Sequence, residues 1–322
     1  MFRLSRRAVG ATAAAAATGV YLSEEWQQRA TVWLGGSLCR LVLRGGNHVT
    51  LHGEHHLEAA LRRPNGKAML SVSNHIATVD DPHLLSSIVP YSTLLQVQEM
   101  RWGVCGDDVC FRPGTWLCKF ADAAKVLPIR RGAGVWQPEL DAIIAKLRLG
   151  DWVHYFPEGK IRQDGRVHPF RRGVGRLVAS IDQPSDLVVL PFYHTGCDKL
   201  QPTTPTSTSV LSRPNFGSDI HVIFGPPVDL SRLLALRATP PFDKRPELLF
   251  EVIAHTLEEE VRALRDKLHK KLGVTPHIPR EGGSFDGDEA VLHPDAAKAR
   301  RERAQAAAAA EVAARCTPGQ EP

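Results

Sequence analysis

The chain has 322 residues, 43% hydrophobic and 23% charged, with 40 Lys+Arg against 35 Asp+Glu for a formal net charge of +5. That balance excludes a disordered, collagenous or coiled-coil chain, and the length fits about two domains or one large α/β domain with tails. Six cysteines with no C-x-x-C pair exclude a disulfide scaffold and a zinc ribbon, no apolar stretch reaches the ~18 residues of a membrane-spanning helix, and the basic excess is too small to point to nucleic acid.

In chain order, Arg3, Arg6 and Arg7 precede an Ala/Thr-rich stretch, and the first acidic residue is Glu24. This is the composition of a mitochondrial transit peptide, with a secretory signal and a poorly ordered terminus as rivals. Residues 1–23 are therefore read as a transit peptide or membrane anchor. Over 24–46, Trp26, Ala30, Trp33, Leu34, Leu38, Leu41 and Val42 recur at helical spacing as far as Gly45-Gly46. Two tryptophans and flanking arginines suit an amphipathic helix at a membrane interface; a helix packed on the protein's own core has the same periodicity.

From 47 to 281, short apolar runs alternate with helical patterns. The strand candidates are Ala68–Val72, Lys125–Ile129, Trp152–Phe156, Leu187–Phe192 and His221–Phe224. Helices are expected at Pro82–Val89, with Asp81 as its cap, from Pro138 to Gly150, and along the stripe Phe250, Ile253, Leu257, Val261, Leu264 and Leu268 up to Gly273. Glu258 to Glu260 and Lys267, Lys270 and Lys271 read as the solvated face of that last helix. The alternation predicts an α/β fold with a mainly parallel or mixed sheet flanked by helices, in one domain. Gln201–Arg213 reads as a loop, and 282–322 as a disordered or marginally helical tail.

Sites in open α/β sheets gather at the carboxyl ends of strands. There stand His75 with Asp80, then Arg130 and Arg131, then Glu158-Gly159-Lys160, then Tyr193 and His194. A histidine with a carboxylate about one helical turn on is the base–orienter half of a triad; alternatively the imidazole bonds a backbone carbonyl and Asp80 acts as a cap. No G-x-S-x-G elbow supplies a nucleophilic serine, so direct attack by a substrate hydroxyl is favoured. The segment 158–176 holds Lys160, Arg162, Arg166, Arg171, Arg172 and Arg176 against Glu158 and Asp164, and glycines that let backbone approach a ligand. With Lys125, Arg130 and Arg131 it suits a phosphate-bearing substrate, anionic lipid head groups, or a basic solvated loop. His48, His52, His55 and His56 read as surface loop histidines, Cys105, Cys110 and Cys118 as buried thiols, and no metal or cofactor signature stands out.

Together these segments are familiar. Asn74-His75-x4-Asp80, Pro128-Ile129-Arg130-Arg131-Gly132, Phe156-Pro157-Glu158-Gly159 and Val189-Leu190-Pro191 occur in the order of the four glycerolipid acyltransferase motifs. Longer strings resemble the tafazzin family within that superfamily: Val79-Asp80-Asp81-Pro82-His83-Leu84, Met100-Arg101-Trp102 and Gly150-Asp151-Trp152-Val153-His154-Tyr155-Phe156-Pro157-Glu158-Gly159-Lys160. The resemblance runs from about Trp26 to Leu272. It implies the glycerolipid acyltransferase fold with an N-terminal membrane-associated helix. The implied activity is CoA-independent acyl transfer from phospholipid to lysophospholipid, without cofactor or metal, as in cardiolipin remodelling. The implied place is a mitochondrial membrane, peripheral or monotopic, facing the intermembrane space. On this analogy His75 is the base on the acceptor hydroxyl and Asp80 its orienter. Arg131, or its neighbour Arg130, contacts phosphate, Glu158 and Gly159 shape the phosphate and donor site, and Lys160 and Arg172 belong to the same cationic surface. A CoA-dependent lysophosphatidate or glycerol-3-phosphate acyltransferase and a non-catalytic anionic-lipid-binding protein are the alternatives.

Overall fold

The computed structural model describes residues 26–112, 116–202 and 215–274. The expected leader at 1–23, the tail at 282–322 and most of the Gln201–Arg213 loop lie outside them. Within the described residues a helical segment runs from 26, passes through a π-type turn at Thr31–Gly35 and continues as α1 (Gly36–Gly46). Then follow β1 (His48–His52), α2 (Glu54–Leu61), β2 (Ala68–Val72), α3 (His83–Ile88), α4 (Tyr91–Leu95), β3 (Gly103–Gly106), α5 (Asp107–Cys110), α6 (Trp116–Ala123) and β4 (Val126–Ile129). The second half adds α7 (Pro138–Arg148), β5 (Trp152–Tyr155), α8 (Arg172–Ala179), β6 (Leu187–Thr195), α9 (Cys197–Leu200), β7 (Asp219–Phe224), α10 (Ser231–Ala235) and α11 (Pro246–Leu272).

The sheet order is β1-β7-β6-β2-β5, and a parallel bridge between Trp102 and Val153 attaches the β3-β4 pair beside β5. β2 runs parallel to β5 and β6, β3 parallel to β4, and β7 antiparallel to β6, so the sheet is mixed but mainly parallel. All five residues of β2 are buried, as a central strand covered on both faces requires. Leu70 and Val72 face a core built with Leu140, Ile143 and Leu147 of α7, Val174 and Leu177 of α8, and the α11 stripe. Met69 faces the other core, with Leu43, Leu57, Leu84, Leu85 and Ile88. The two faces follow directly from the two-residue repeat of a strand.

The expected helix boundaries hold where backbone chemistry dictates them. Pro138 and Pro246 open α7 and α11, and Gly273, at φ 66°, closes α11. α8 lies so close to α11 that a Cβ on Gly175 would stand 1.9 Å from the Phe250 carbonyl oxygen. Glu258 is not on the solvated face expected for it. It is buried, accepts the Phe170 N–H at 2.9 Å and pairs with Arg262 at 2.6 Å, because it borders the Leu257/Val261 stripe instead of facing solvent. His48 and His52 lie on strand β1, and His55 and His56 on α2, not on a loop.

The helical segment from 26 through α1 divides its apolar residues between two surroundings. Val32 and Leu43 are buried, while Arg40 and Arg44 donate to the carbonyls of Val89 (2.6 Å) and Ser87 (3.0 Å) at α3. Leu34, Leu38 and Leu41 are 59%, 61% and 67% exposed, and Trp26 and Trp33 are exposed with them. The outward stripe is the one that the spacing picked out. Among the described residues no helix is long and apolar enough to cross a membrane.

Candidate active site

Ser73 and Asn74, both buried, follow the end of β2 and lead to His75. A single 3-10 turn, Thr78–Asp80, folds back so that Asp80 Oδ2 lies 2.9 Å from His75 Nδ1. The same oxygen accepts the backbone N–H of Ile76 at 2.7 Å and of Ala77 at 2.8 Å. Burial pushes the Asp80 carboxyl up, but the facing His194 ring and the His75 hydrogen bond outweigh it and hold the group below its ordinary value. An ionised Asp80 fixes the proton on Nδ1 and leaves Nε2 with its lone pair. The Asp80 side chain is fully buried, whereas that of His75 keeps 20% exposure, and Phe156 stacks on its ring at 4.0 Å. This is base–orienter geometry; the backbone-carbonyl alternative for His75 is not what the structure contains. The neighbouring Ser73 hydroxyl donates to the Asn74 carbonyl at 3.0 Å and is buried, so it is no nucleophile.

The adjacent carboxylate diverges. Asp81 does not cap α3, which has no side-chain cap, but pairs with the buried Arg101. Lys125 likewise does not extend the cationic strand-end surface. It precedes β4, at the opposite end from Arg130, and its buried ammonium donates to the carbonyls of Val97 (2.8 Å) and Met100. Burial lowers its pKa to about 8. Together Arg101 and Lys125 hold the Met100-Arg101-Trp102 string against the end of the sheet.

After β5, a turn closed by Gly159 N–H to the Phe156 carbonyl (3.1 Å) presents Glu158. Gly159 has φ +72°, and a Cβ there would meet Arg171 at 2.8 Å, so glycine is required. Glu158 is buried and neither carboxyl oxygen has a hydrogen-bond partner; burial pushes its pKa up to about 8, the nearby amides of His75 and His168 opposing the rise. The loop is tied to the His75 segment, since Arg162 N–H donates to the His75 carbonyl at 2.8 Å and Gln163 Nε2 to the Ile76 carbonyl at 2.7 Å. Lys160 is exposed.

The arginines singled out by their positions are engaged. Arg131 pairs with Asp108, Arg130 with Asp107 (3.4 Å) and Glu139 (3.3 Å), and Arg172 reaches Glu251 of α11 at 3.7 Å. Arg130 and Arg131 follow β4, three strand spacings or about 14 Å across the sheet from β2. Asp107 and Asp108 sit in a loop closed by a Cys105–Cys110 disulfide, where buried thiols were expected. Five-residue spacing allows that bridge only because β3 ends at Gly106 and α5 turns back at once.

Two residues went unassigned by the sequence. His194, at the end of β6, lies with its Nε2 3.0 Å from the Asn74 carbonyl and 3.8 Å from Asp80 Oδ2. Asn74 answers with Nδ2 to the His194 carbonyl (2.9 Å) and Oδ1 from the His194 N–H (3.0 Å). Their one sequence signal was the placement of each at a strand end.

Residues 48–195 match the family described as Acyltransferase. Tafazzin of Drosophila melanogaster is 31% identical over 221 residues, covering 67% of this chain and 55% of that protein. Taffazin of Dictyostelium discoideum is 34% identical over 145 residues (44% and 48%), and N-acylphosphatidylethanolamine synthase of Arabidopsis thaliana 32% over 170 residues (52% and 58%). The chain thus spans about half the length of these curated relatives.

Proposed function

This chain belongs to the tafazzin family of the glycerolipid acyltransferase superfamily, and from that premise we propose that it moves a fatty acyl group from a phospholipid to a lysophospholipid without acyl-CoA or cofactor. The observation that carries the reading is the 2.9 Å contact between His75 Nδ1 and the buried Asp80 carboxylate. His75 Nε2 takes the proton of the acceptor's hydroxyl as its oxygen forms a bond to the donor's ester carbonyl carbon. Asp80 stabilises the imidazolium so formed. The tetrahedral oxyanion collapses, the ester bond to the donor's glycerol oxygen breaks, and that oxygen receives the proton back from Nε2. The products are an acylated acceptor and a new lysophospholipid.

Cationic Lys160, Arg162, Arg130 and Arg131 supply the partners that lipid phosphates need. A Glu158 that stays protonated near neutral pH adds no negative charge against them. The outward Trp33, Leu34, Leu38 and Leu41 face would lie in the head-group layer, keeping the enzyme peripheral or monotopic. The reading extends to cardiolipin as a substrate and to a mitochondrial membrane facing the intermembrane space, on the family resemblance and the composition of residues 1–23.

A second reading has the same base act on an amine instead of a hydroxyl; the similarity to the plant N-acylphosphatidylethanolamine synthase favours it. Purified protein on mixed liposomes, with labelled lysophospholipid, diacyl phospholipid and phosphatidylethanolamine but no acyl-CoA, tests both. Label in diacyl lipid supports the proposal, and acyl groups on the ethanolamine nitrogen support the second reading. Turnover that appears only after acyl-CoA is added returns the enzyme to the CoA-dependent class.

A further inference from the structure

We infer that His194 is a positioning residue for the His75–Asp80 pair, a neutral N–H donor that fixes the peptide preceding the base and faces the carboxylate that orients it. The inference rests on the reading of His75 as the base. The Asn74 carbonyl oxygen only accepts, so the 3.0 Å contact places the ring proton of His194 on Nε2. Nδ1 is then the bare nitrogen, and it is buried with no hydrogen-bond partner. A second proton there would have nothing to bond, and burial accordingly pushes the His194 imidazole below its ordinary value. His194 is therefore held neutral.

Its three bonds with Asn74 join the ends of β6 and β2 beyond the point where their ladder stops. The Asn74 side chain takes the place of a missing peptide, bonding both the N–H and the C=O of His194. The ring N–H then clamps the Asn74 carbonyl, whose carbon is bonded to the His75 nitrogen. All of this is buried, with Asn74 and His194 at 0% exposure and Asp80 at 1%. The same Nε2 stands 3.8 Å from Asp80 Oδ2, the oxygen that already accepts His75 Nδ1–H and two amides. One N–H group thus bears on both halves of the pair. The other titratable groups around it are Asp198 near His194, and Asp81, His154 and Glu158 around His75; the Cys197 thiol, kept neutral by burial, also faces Asp80.

The test compares His194→Phe, which keeps the ring volume and removes the N–H, with His194→Gln, whose amide nitrogen reaches the position of Nε2. On lysophospholipid/diacyl phospholipid vesicles, His194→Phe is expected to lower kcat roughly 10- to 100-fold with little change in KM, because a small displacement of a base is costly. It should also move the acid limb of the rate profile to higher pH, by up to about one unit, since Asp80 loses a facing donor. His194→Gln should restore most of the rate and the original limb. A second readout needs no turnover: carbethoxylation of His75 by diethyl pyrocarbonate, followed against pH by peptide mass spectrometry in all three proteins. A folded His194→Phe protein with unchanged kcat and an unchanged His75 reactivity profile overturns the inference. So does a loss of rate that merely tracks the unfolded fraction of both variants. Wild-type protein that transfers no acyl group, yet shows His75 reactivity dependent on His194, would instead overturn the proposed function and leave this inference standing.

Discussion

Asp108 holds Arg131, the arginine that the family resemblance assigns to lipid phosphate: Arg131 Nε donates to Oδ1 at 3.1 Å and a terminal nitrogen to Oδ2. Asp107 makes a single, longer contact with Arg130, Nε to Oδ2 at 3.4 Å. A phosphate that binds Arg130 or Arg131 competes with these carboxylates. Both ion pairs are substantially exposed, so each resists displacement by at most about 1 kcal/mol.

Asp107→Asn with Asp108→Asn is therefore expected to lower KM for an anionic lysophospholipid about two- to fivefold while leaving kcat nearly unchanged. Cys105→Ser with Cys110→Ser, which opens the loop that presents both carboxylates, should move KM in the same direction. Initial rates against acceptor concentration at fixed vesicle surface check this, and an increased KM would mean that the arginines need their carboxylate partners to be placed correctly.

Glu158 predicts a pH-dependent stability difference. Its folded pKa is raised to about 8 from 4.5, so between those values the folded protein holds a proton that the unfolded chain has released. The stability tied to that proton is fully present below about 4.5 and is lost as pH rises through about 8. Glu158→Gln, which cannot ionise, should gain on the wild type across this window. Thermal midpoints at pH 5 and pH 8.5 measure it: the gap in favour of the variant should widen at the higher pH, and a constant gap would show that Glu158 is already ionised at pH 5.

Gly175→Ala should destabilise the fold, because its new methyl would meet the Phe250 carbonyl oxygen and force α8 away from α11. Overpacking of this kind costs about 1–3 kcal/mol. Denaturant midpoints report it, and since α8 follows the Glu158 loop, activity at low temperature should fall less than stability.

Leu38→Glu with Leu41→Glu charges the outward face of α1 without touching Val32 or Leu43. Co-sedimentation with anionic liposomes should drop severalfold while the thermal midpoint stays within about 2 °C of the wild type, as surface changes do. Undiminished binding would place the membrane contact elsewhere.

The sheet was legible because its strands are short buried runs punctuated by Gly and Pro; β2 occupies Ala68–Val72 as read, and β5 and β7 differ from their expected ranges only at the ends. β1 and β3 escaped notice for a physical reason. His48–His52 is a half-exposed edge strand of mixed polarity, and Gly103–Gly106 carries two glycines in four residues, so neither has an apolar period. At the site, the His75–Asp80 pairing could be read because both members lie in one local turn. The engagement of Arg131 by Asp108, of Asp81 by Arg101 and of Asn74 by His194 could not, since each joins residues separated by 20 or more positions.

The central claim is that His75, oriented by Asp80, is the base for acyl transfer between lipids. The most direct measurement follows labelled lysophospholipid into diacyl lipid on liposomes without acyl-CoA, for wild type, His75→Ala and Asp80→Asn, each checked for its folded thermal transition. The account predicts transfer by the wild type, essentially none by His75→Ala, and a residue of about one part in 10²–10⁴ for Asp80→Asn, whose neutral amide cannot stabilise the imidazolium. Wild-type rates from a folded His75→Ala protein would contradict it.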